Sequence, residues 1–339
     1  MRVLVTGGAG YIGSVLMRVL IERGYDVVCL DRLFFGLDPI KELLGDPHFK
    51  LVKDDIRWFD PKILTDVDVV IDLAAISNDP AGELDPAKTY DINYLGRMRV
   101  ARLSREYGVK RYIFASTCSV YGFQKKIVRE DSDPNPLTTY AKSAILAEKD
   151  LMPLASRDLC VTILRFATAY GLSYRMRFDL VVNAMVLHLY KTGKIRVGGD
   201  GSQMRPLVHV RDISRAILSI IEADEEIVNG EIFNVGSNDQ NYKILDLAKE
   251  IGDALQKPYE IEFYGDKDTR SYMVDFTKIS QELGFKAKYT VKDAAREIYH
   301  ALERGEVIDD IRTITVKWYK YLLDVYSLVK QVELNGRIL

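Results

Sequence analysis

One stretch restricts the fold more than any other: RVLVTGGAGYIGSVLMRVLIERG, residues 2–24. A short β-rich run meets glycines at 7, 10 and 13, then a segment with apolar residues at helical spacing that stops at Gly24. Strand, glycine turn and helix in immediate succession open a βαβ unit. The alternation then continues. DVVCLD, FKLVKDD, DVVIDLAA, RYIFAST and CVTILRFATAY are near-continuous apolar runs, as strands buried on both faces require. Helical stretches separate them. Such a sequence implies right-handed crossovers and an α/β, doubly wound parallel sheet.

Past residue 170 the pattern changes. GLSYRMRFD reads as a polar loop, LVVNAMVLHLYKTG as a helix ending at Gly193, and EIFNVGS as a strand. The expected division is a Rossmann domain over 1–167 with a return segment at about 207–237. A smaller C-terminal α/β substrate domain takes 168–206 and 238–339. The C-terminal VKWYKYLLDVYSLVKQVEL reads as an amphipathic helix whose aromatics pack on a core. With 339 residues and 47% hydrophobic content the chain can bury a large core.

The formal net charge of −2 gives no reason to expect nucleic acid or a membrane surface as a partner. No apolar run is long enough to span a bilayer, and none reads as a signal core. The expected location is the cytoplasm. Cys29, Cys118 and Cys160 lack framework spacing, and Cys29 and Cys160 lie in apolar runs, as reduced core thiols do. The four histidines are scattered, so no metal site is expected.

The glycine turn points to a cofactor. It lets the backbone approach a pyrophosphate while the following helix N-terminus supplies amide donors. Asp31 ends the second strand, 18 residues past Gly13. A carboxylate there accepts hydrogen bonds from the adenosine ribose hydroxyls and repels a 2′-phosphate, which favours NAD over NADP. Arg32 is the counter-signal, because an arginine can hold such a phosphate. Asp55, in DDIR after the third strand, is placed to meet adenine. DLAA, residues 72–75, ends the fourth strand with small residues that permit close cofactor approach.

FASTCSVYG, residues 114–122, brings hydroxyls to the carboxyl end of the fifth strand, and Tyr140 follows Thr117 by 23 residues. TGGAGYIG, Asp31, DDIR, DLAA, DIN ending at Asn93, STCSVYG and YAKS occur in one order over nearly the whole chain. In these motifs the chain resembles the extended short-chain dehydrogenase/reductase superfamily, and within it the NAD-dependent nucleotide-sugar epimerases and dehydratases. The resemblance implies that Thr117 bonds the sugar oxygen and that Tyr140 is the catalytic tyrosine. It implies cofactor contacts from Gly7, Gly10, Tyr11, Ile12, Gly13, Asp31, Asp55, Ile56, Leu73, Ala74, Ala75, Ser77, Asn93, Ala115, Tyr140 and Phe166. Substrate contacts would come from Thr117, Thr168, Arg205 and Arg270, the arginines gripping a nucleotide diphosphate. Arg175 and Arg177 are additional candidates. A homodimer formed through the helices near 88–107 and 140–157 is also implied.

A tyrosine is a poor base at neutral pH, with an ordinary pKa of about 10. A nearby ammonium and oxidised nicotinamide would bring it into range. The phenolate then takes a proton from a sugar hydroxyl while hydride leaves the same carbon; an epimerase returns the hydride to the other face. The family's ammonium is a lysine four residues after the tyrosine. Here that place is Ala144, and Lys142 points roughly 200° around the helix from Tyr140. Three origins fit Ala144: a deliberate replacement that traps a complex, a degenerate site that keeps binding, or a lysine supplied from elsewhere. The intact tyrosine and hydroxyl favour the first. The expectation is an enzyme of low or no activity.

Cys118–Ser119 stand where the family's 4,6-dehydratases carry an acidic pair, and no decarboxylase glutamate is present. What remains is an epimerase, foremost at sugar C4, or a ketoreductase or dehydrogenase of the same family. A non-catalytic protein binding NAD and nucleotide sugar is the alternative from another class. Many epimerases have asparagine where this chain has Thr168, so the sugar stays open.

Overall fold

The computed structural model describes residues 1–266 and 270–337. Its organising element is a seven-stranded parallel sheet. The first strands are β1 (Arg2–Thr6), β2 (Asp26–Asp31), β3 (Phe49–Lys53) and β4 (Val69–Asp72), with α1 (Tyr11–Glu22) between β1 and β2. The chain then runs through α2 (Asp79–Gly82), α3 (Pro86–Tyr90) and α4 (Arg97–Glu106) into β5 (Arg111–Thr117). A short β6 (Phe123–Val128) precedes α5 (Thr139–Leu151) and β7 (Cys160–Phe166).

Beyond these lie β8 (Thr168–Tyr170), α6 (Val181–Thr192), β9 (Lys194–Gly198), β10 (Met204–His209), α7 (Val210–Glu222), α8 (Glu225–Val228) and β11 (Glu231–Val235). The remainder is β12 (Asn241–Lys243), α9 (Ile244–Leu255), β13 (Glu260–Tyr264), β14 (Ser271–Val274), α10 (Thr277–Leu283), α11 (Val291–Glu303) and α12 (Thr315–Val332). The large sheet has the order β11-β7-β5-β4-β1-β2-β3. The order reverses between β1 and β4, and a crevice opens beyond their carboxyl ends, where ligands of doubly wound folds bind.

Both faces of the sheet are covered, which is why its strands are apolar without interruption. Val3 and Val5 of β1 face one cluster with Leu16, Met17 and Leu20 of α1 and Ile213 and Ile217 of α7. Leu4, between them, faces the other, with Tyr112 and Phe114 of β5, Val100 of α4 and Leu151 of α5. A third cluster joins α6, α9 and α11 to β9 and β10.

The sequence reading needs four adjustments. CVTILRFATAY is two strands: β7 stays in the large sheet, whereas Thr168 of β8 pairs with Leu207 of β10. Phe123–Val128, polar in sequence, is a strand beside β14. The single helix expected near 88–107 is broken by a π-helical segment at Asp91–Gly96, a distortion frequent at functional sites. In α12, Tyr319 meets the rings of Phe34 and Phe35, but Tyr321, Tyr326 and Leu328 are exposed rather than packed on a core.

Candidate active site

The crevice is a single continuous cavity of about 1140 Å³. Its first wall is the glycine turn. Gly7 has φ +67°, and a Cβ there would lie 2.9 Å from backbone atoms of Ala74. A Cβ on Gly13 would lie 2.5 Å from the Gly7 carbonyl oxygen. Only glycines let β1, α1 and the end of β4 come this close. Gly10 begins α1 without a side-chain cap, so the first-turn amides stay available to an anion.

Asp31 follows on the next strand end. Its carboxylate accepts from the amides of Ala9 at 2.9 Å and Leu33 at 2.7 Å. Burial outweighs these bonds and the nearby Arg175 charge, and pushes its pKa up. Hydroxyl donors from a ribose would stabilise the charged form. Arg32 is turned to Asp55, Nη1 to Oδ2 at 2.9 Å, and Arg57 grips the same carboxylate through Nε and Nη2, each at 2.9 Å. Asp55 therefore lines the cavity with its oxygens held by two arginines, which together overcome burial and pull its pKa down. The glycine cradle, the amide-bearing helix end and Asp31 fit a dinucleotide.

Thr117 ends β5 and Tyr140 sits in the first turn of α5, whose start is fixed by Thr138 capping the Ala141 amide at 3.2 Å. Burial pushes the Tyr140 pKa up; the Thr117 hydroxyl pulls the other way. Asp79 adds to the rise, and Arg97 and Arg177 oppose it. Ala144 lies one turn on, buried in the core beside Ile145, and Lys142 points to solvent.

Arg177 forms a fork on Asp179, with Nε–Oδ1 at 2.8 Å, and reaches Ser77 Oγ at 3.3 Å. Arg175 is buried with its guanidinium 3.5 Å from the Phe35 ring centroid; its Nε has no hydrogen-bond partner, and burial beside Arg177 pushes its pKa down to about 9. Arg205 bonds the carbonyls of Met204 and Arg270, and Arg270 is ion-paired with Asp79.

The cavity wall thus brings together Gly7, Gly10, Tyr11, Ile12, Gly13, Asp31, Asp55, Ile56, Leu73, Ala74, Ala75, Ser77, Ala115, Thr117, Tyr140, Phe166, Thr168, Arg205 and Arg270. Asn93 and Ala144 stand behind it. Asn93 instead fixes the loop after β4, bonding the Ile76 amide at 2.8 Å and carbonyl at 3.0 Å. Sequence reasoning missed Arg97, Asp179 and Tyr319, all on the wall. They come from loops and helices far apart in sequence and carried no motif. Cys118 is buried and its thiol pKa is pushed well up by burial. Among the described residues no three His, Cys, Asp or Glu groups cluster to hold a metal, and no helix is long and apolar enough to cross a membrane.

The sequence profile described as the NAD dependent epimerase/dehydratase family matches residues 3–236. This chain belongs to that family. Its family members are NAD-dependent enzymes, and its cofactor is NAD. A UDP-glucose 4-epimerase of Lactobacillus helveticus is 29% identical over 94% of this chain and 97% of its own. A putative UDP-glucose 4-epimerase of Methanocaldococcus jannaschii is 32% identical over 89% of this chain and 99% of its own. The structure of UDP-glucuronic acid 4-epimerase from Bacillus cereus, in complex with UDP-glucuronic acid and NAD, superposes with a TM-score of 0.81 at 25% identity. It covers 90% of this family member and 99% of that chain.

Proposed function

We propose that the chain is an NAD-dependent nucleotide-sugar epimerase acting at sugar C4, on a UDP-hexose or UDP-hexuronic acid. The observation that carries this reading is that Thr117 and Tyr140 line one cavity with the glycine turn and Asp31 and with Arg205 and Arg270. NAD, when bound, accepts a hydride from a sugar carbon and gives it back. Tyr140, as the phenolate, takes the proton of the sugar hydroxyl at its oxygen and later returns it. Thr117 orients that sugar oxygen. Arg205 and Arg270 suit a diphosphate, since guanidinium forks pair with phosphate oxygens. Elimination is disfavoured, because the position after Thr117 offers the buried, protonated thiol of Cys118 rather than a carboxyl acid. With a methyl at 144, turnover falls below that of an Ala144→Lys form. A homodimer through α5 and the π-helical segment leading into α4 fits the exposed Leu95 and Leu146.

The test is to incubate the chain and its Ala144→Lys form with NAD and UDP-glucose, UDP-galactose, UDP-glucuronic acid or UDP-galacturonic acid, and to follow products by NMR. Interconversion of a C4 pair, faster in the lysine form, supports the reading. Binding without conversion by either form supports a non-catalytic nucleotide-sugar protein instead.

A further inference from the structure

Position 144 carries a methyl where a proton-transferring tyrosine calls for a cation one turn on. The fold brings a different cation to that neighbourhood. Arg97 opens α4, directly after the π-helical segment, and is 3% exposed. Its Nε donates to Asp72 Oδ2 at 3.0 Å, and its Nη2 to the carbonyls of Asp72 at 2.5 Å and Ala115 at 2.9 Å. The guanidinium lies 3.8 Å from the Phe114 ring centroid. It is therefore fixed at the carboxyl ends of β4 and β5, two residues before Thr117 on β5. Its Nη1 makes no hydrogen bond among the described residues, and Arg97 lines the same cavity as Tyr140 and Thr117.

A buried ion pair is a poor way to stabilise a core, because apolar residues of similar volume do as well or better. Here the fold surrounds Asp72 with Thr6 and Tyr112 as well, and holds the cation at the wall of the reaction cavity. The charges that act most on the Tyr140 phenol are Asp79, Arg97 and Arg177. Arg177 has its fork committed to Asp179. Arg97 is ion-paired too, but it meets the Asp72 carboxylate through Nε alone and lines the cavity.

We propose that Arg97 replaces the missing ammonium, its guanidinium holding a fixed positive charge on the cavity wall it shares with Tyr140 that allows the phenol to release its proton. The proposal rests on Tyr140 being the proton-transferring group. A guanidinium stays charged at all working pH, so Arg97 acts on Tyr140 by its field alone and is a positioning residue. It leaves turnover low rather than absent.

The test uses NAD-saturated protein carrying ¹³C at the tyrosine Cζ, with the Tyr140 resonance assigned by Tyr140→Phe. Its titration is followed by NMR. Arg97→Met should raise the Tyr140 midpoint by about one pH unit or more, the size of effect an opposite charge exerts nearby. Arg97→Lys should keep most of the wild-type value, and Ala144→Lys added to Arg97→Met should bring the midpoint back. Because Arg97→Met strands Asp72, whose bare carboxylate would itself raise the midpoint, the pair Asp72→Asn/Arg97→Met is titrated as well and should show a smaller rise in the same direction. The proposal is overturned if both variants leave the midpoint unmoved, if Arg177→Met alone moves it, or if Tyr140 of the wild type stays protonated wherever the fold persists. Turnover is scored separately on the same proteins. Lack of any sugar product counts against the epimerase reading, while an unmoved titration with product formed counts against Arg97 alone.

Discussion

Arg97 Nε lies 3.0 Å from Asp72 Oδ2, and the two side chains are 4% and 0% exposed. Removing one partner leaves an uncompensated buried charge, which costs about 3–5 kcal/mol. Arg97→Met should therefore lower unfolding stability by that order in urea titrations. Asp72→Asn/Arg97→Met should recover most of it. If the single and double variants lose the same stability, the ion pair is not the source of the loss.

Asp31 should set fold stability against cofactor binding. Burial holds its folded pKa above the unfolded value. The stability linked to this group is thus full below the unfolded pKa and is lost as pH rises through the folded one. At neutral pH, Asp31→Asn should stabilise the cofactor-free protein while weakening NAD binding roughly ten- to a hundredfold, since a hydrogen bond to a charged group is worth about 1.5–3 kcal/mol. In the wild type, NAD affinity should fall as pH drops through the raised Asp31 pKa. Fluorescence titrations with NAD across pH, paired with thermal melts, check both halves.

Gly13→Ala should damage the cofactor cradle. The new methyl would meet the Gly7 carbonyl at 2.5 Å and Gly8 Cα at 2.6 Å, backbone atoms that cannot rotate away. Overpacking of this kind costs about 1–3 kcal/mol and displaces the turn. Calorimetry should show weakened or lost NAD binding with the fold retained. Gly24→Ala is the comparison: it meets no atom within 4 Å, although its φ of +79° strains the backbone. It should spare the affinity for NAD.

Tyr140→Phe should separate chemistry from binding. The phenol oxygen is the proposed proton carrier, and such groups contribute roughly 10²- to 10⁴-fold in rate. Turnover should drop by that factor while the NAD dissociation constant changes little, because the ring still fills its place on the cavity wall. An equal loss in binding would recast Tyr140 as a structural residue.

Much of this architecture was legible in the sequence because its strongest constraints are local. RVLVT, the glycines and the amphipathic segment after them specify β1, the turn and α1 within two dozen residues. DVVCLD places Asp31 at a strand end by its apolar pattern alone. Thr117 and Tyr140 were found through their motifs, yet their meeting in one cavity depends on α5 packing by β5. What stayed hidden is long-range. Phe123–Val128 is a strand only because Ser271–Val274 lies beside it. Arg97 reads as one more charge on an exposed-looking helix until Asp72, an aspartate inside an apolar strand, is seen to hold it from the inside. The exposed aromatics of α12 misled in the opposite direction, because an amphipathic stripe shows that a face is apolar but not what covers it.

The central claim is that the chain removes a hydride from sugar C4 and returns it to the other face, with Tyr140 handling the proton. The most direct measurement uses a UDP-hexose or UDP-hexuronic acid deuterated at C4, incubated with the NAD-loaded protein in ordinary water and read by NMR. The account predicts a C4-inverted product that keeps its deuterium at C4, formed by the wild type, faster by Ala144→Lys, and far more slowly by Tyr140→Phe. Loss of the label to solvent, or an unchanged C4 configuration in both the wild type and Ala144→Lys despite bound NAD and sugar, would contradict it.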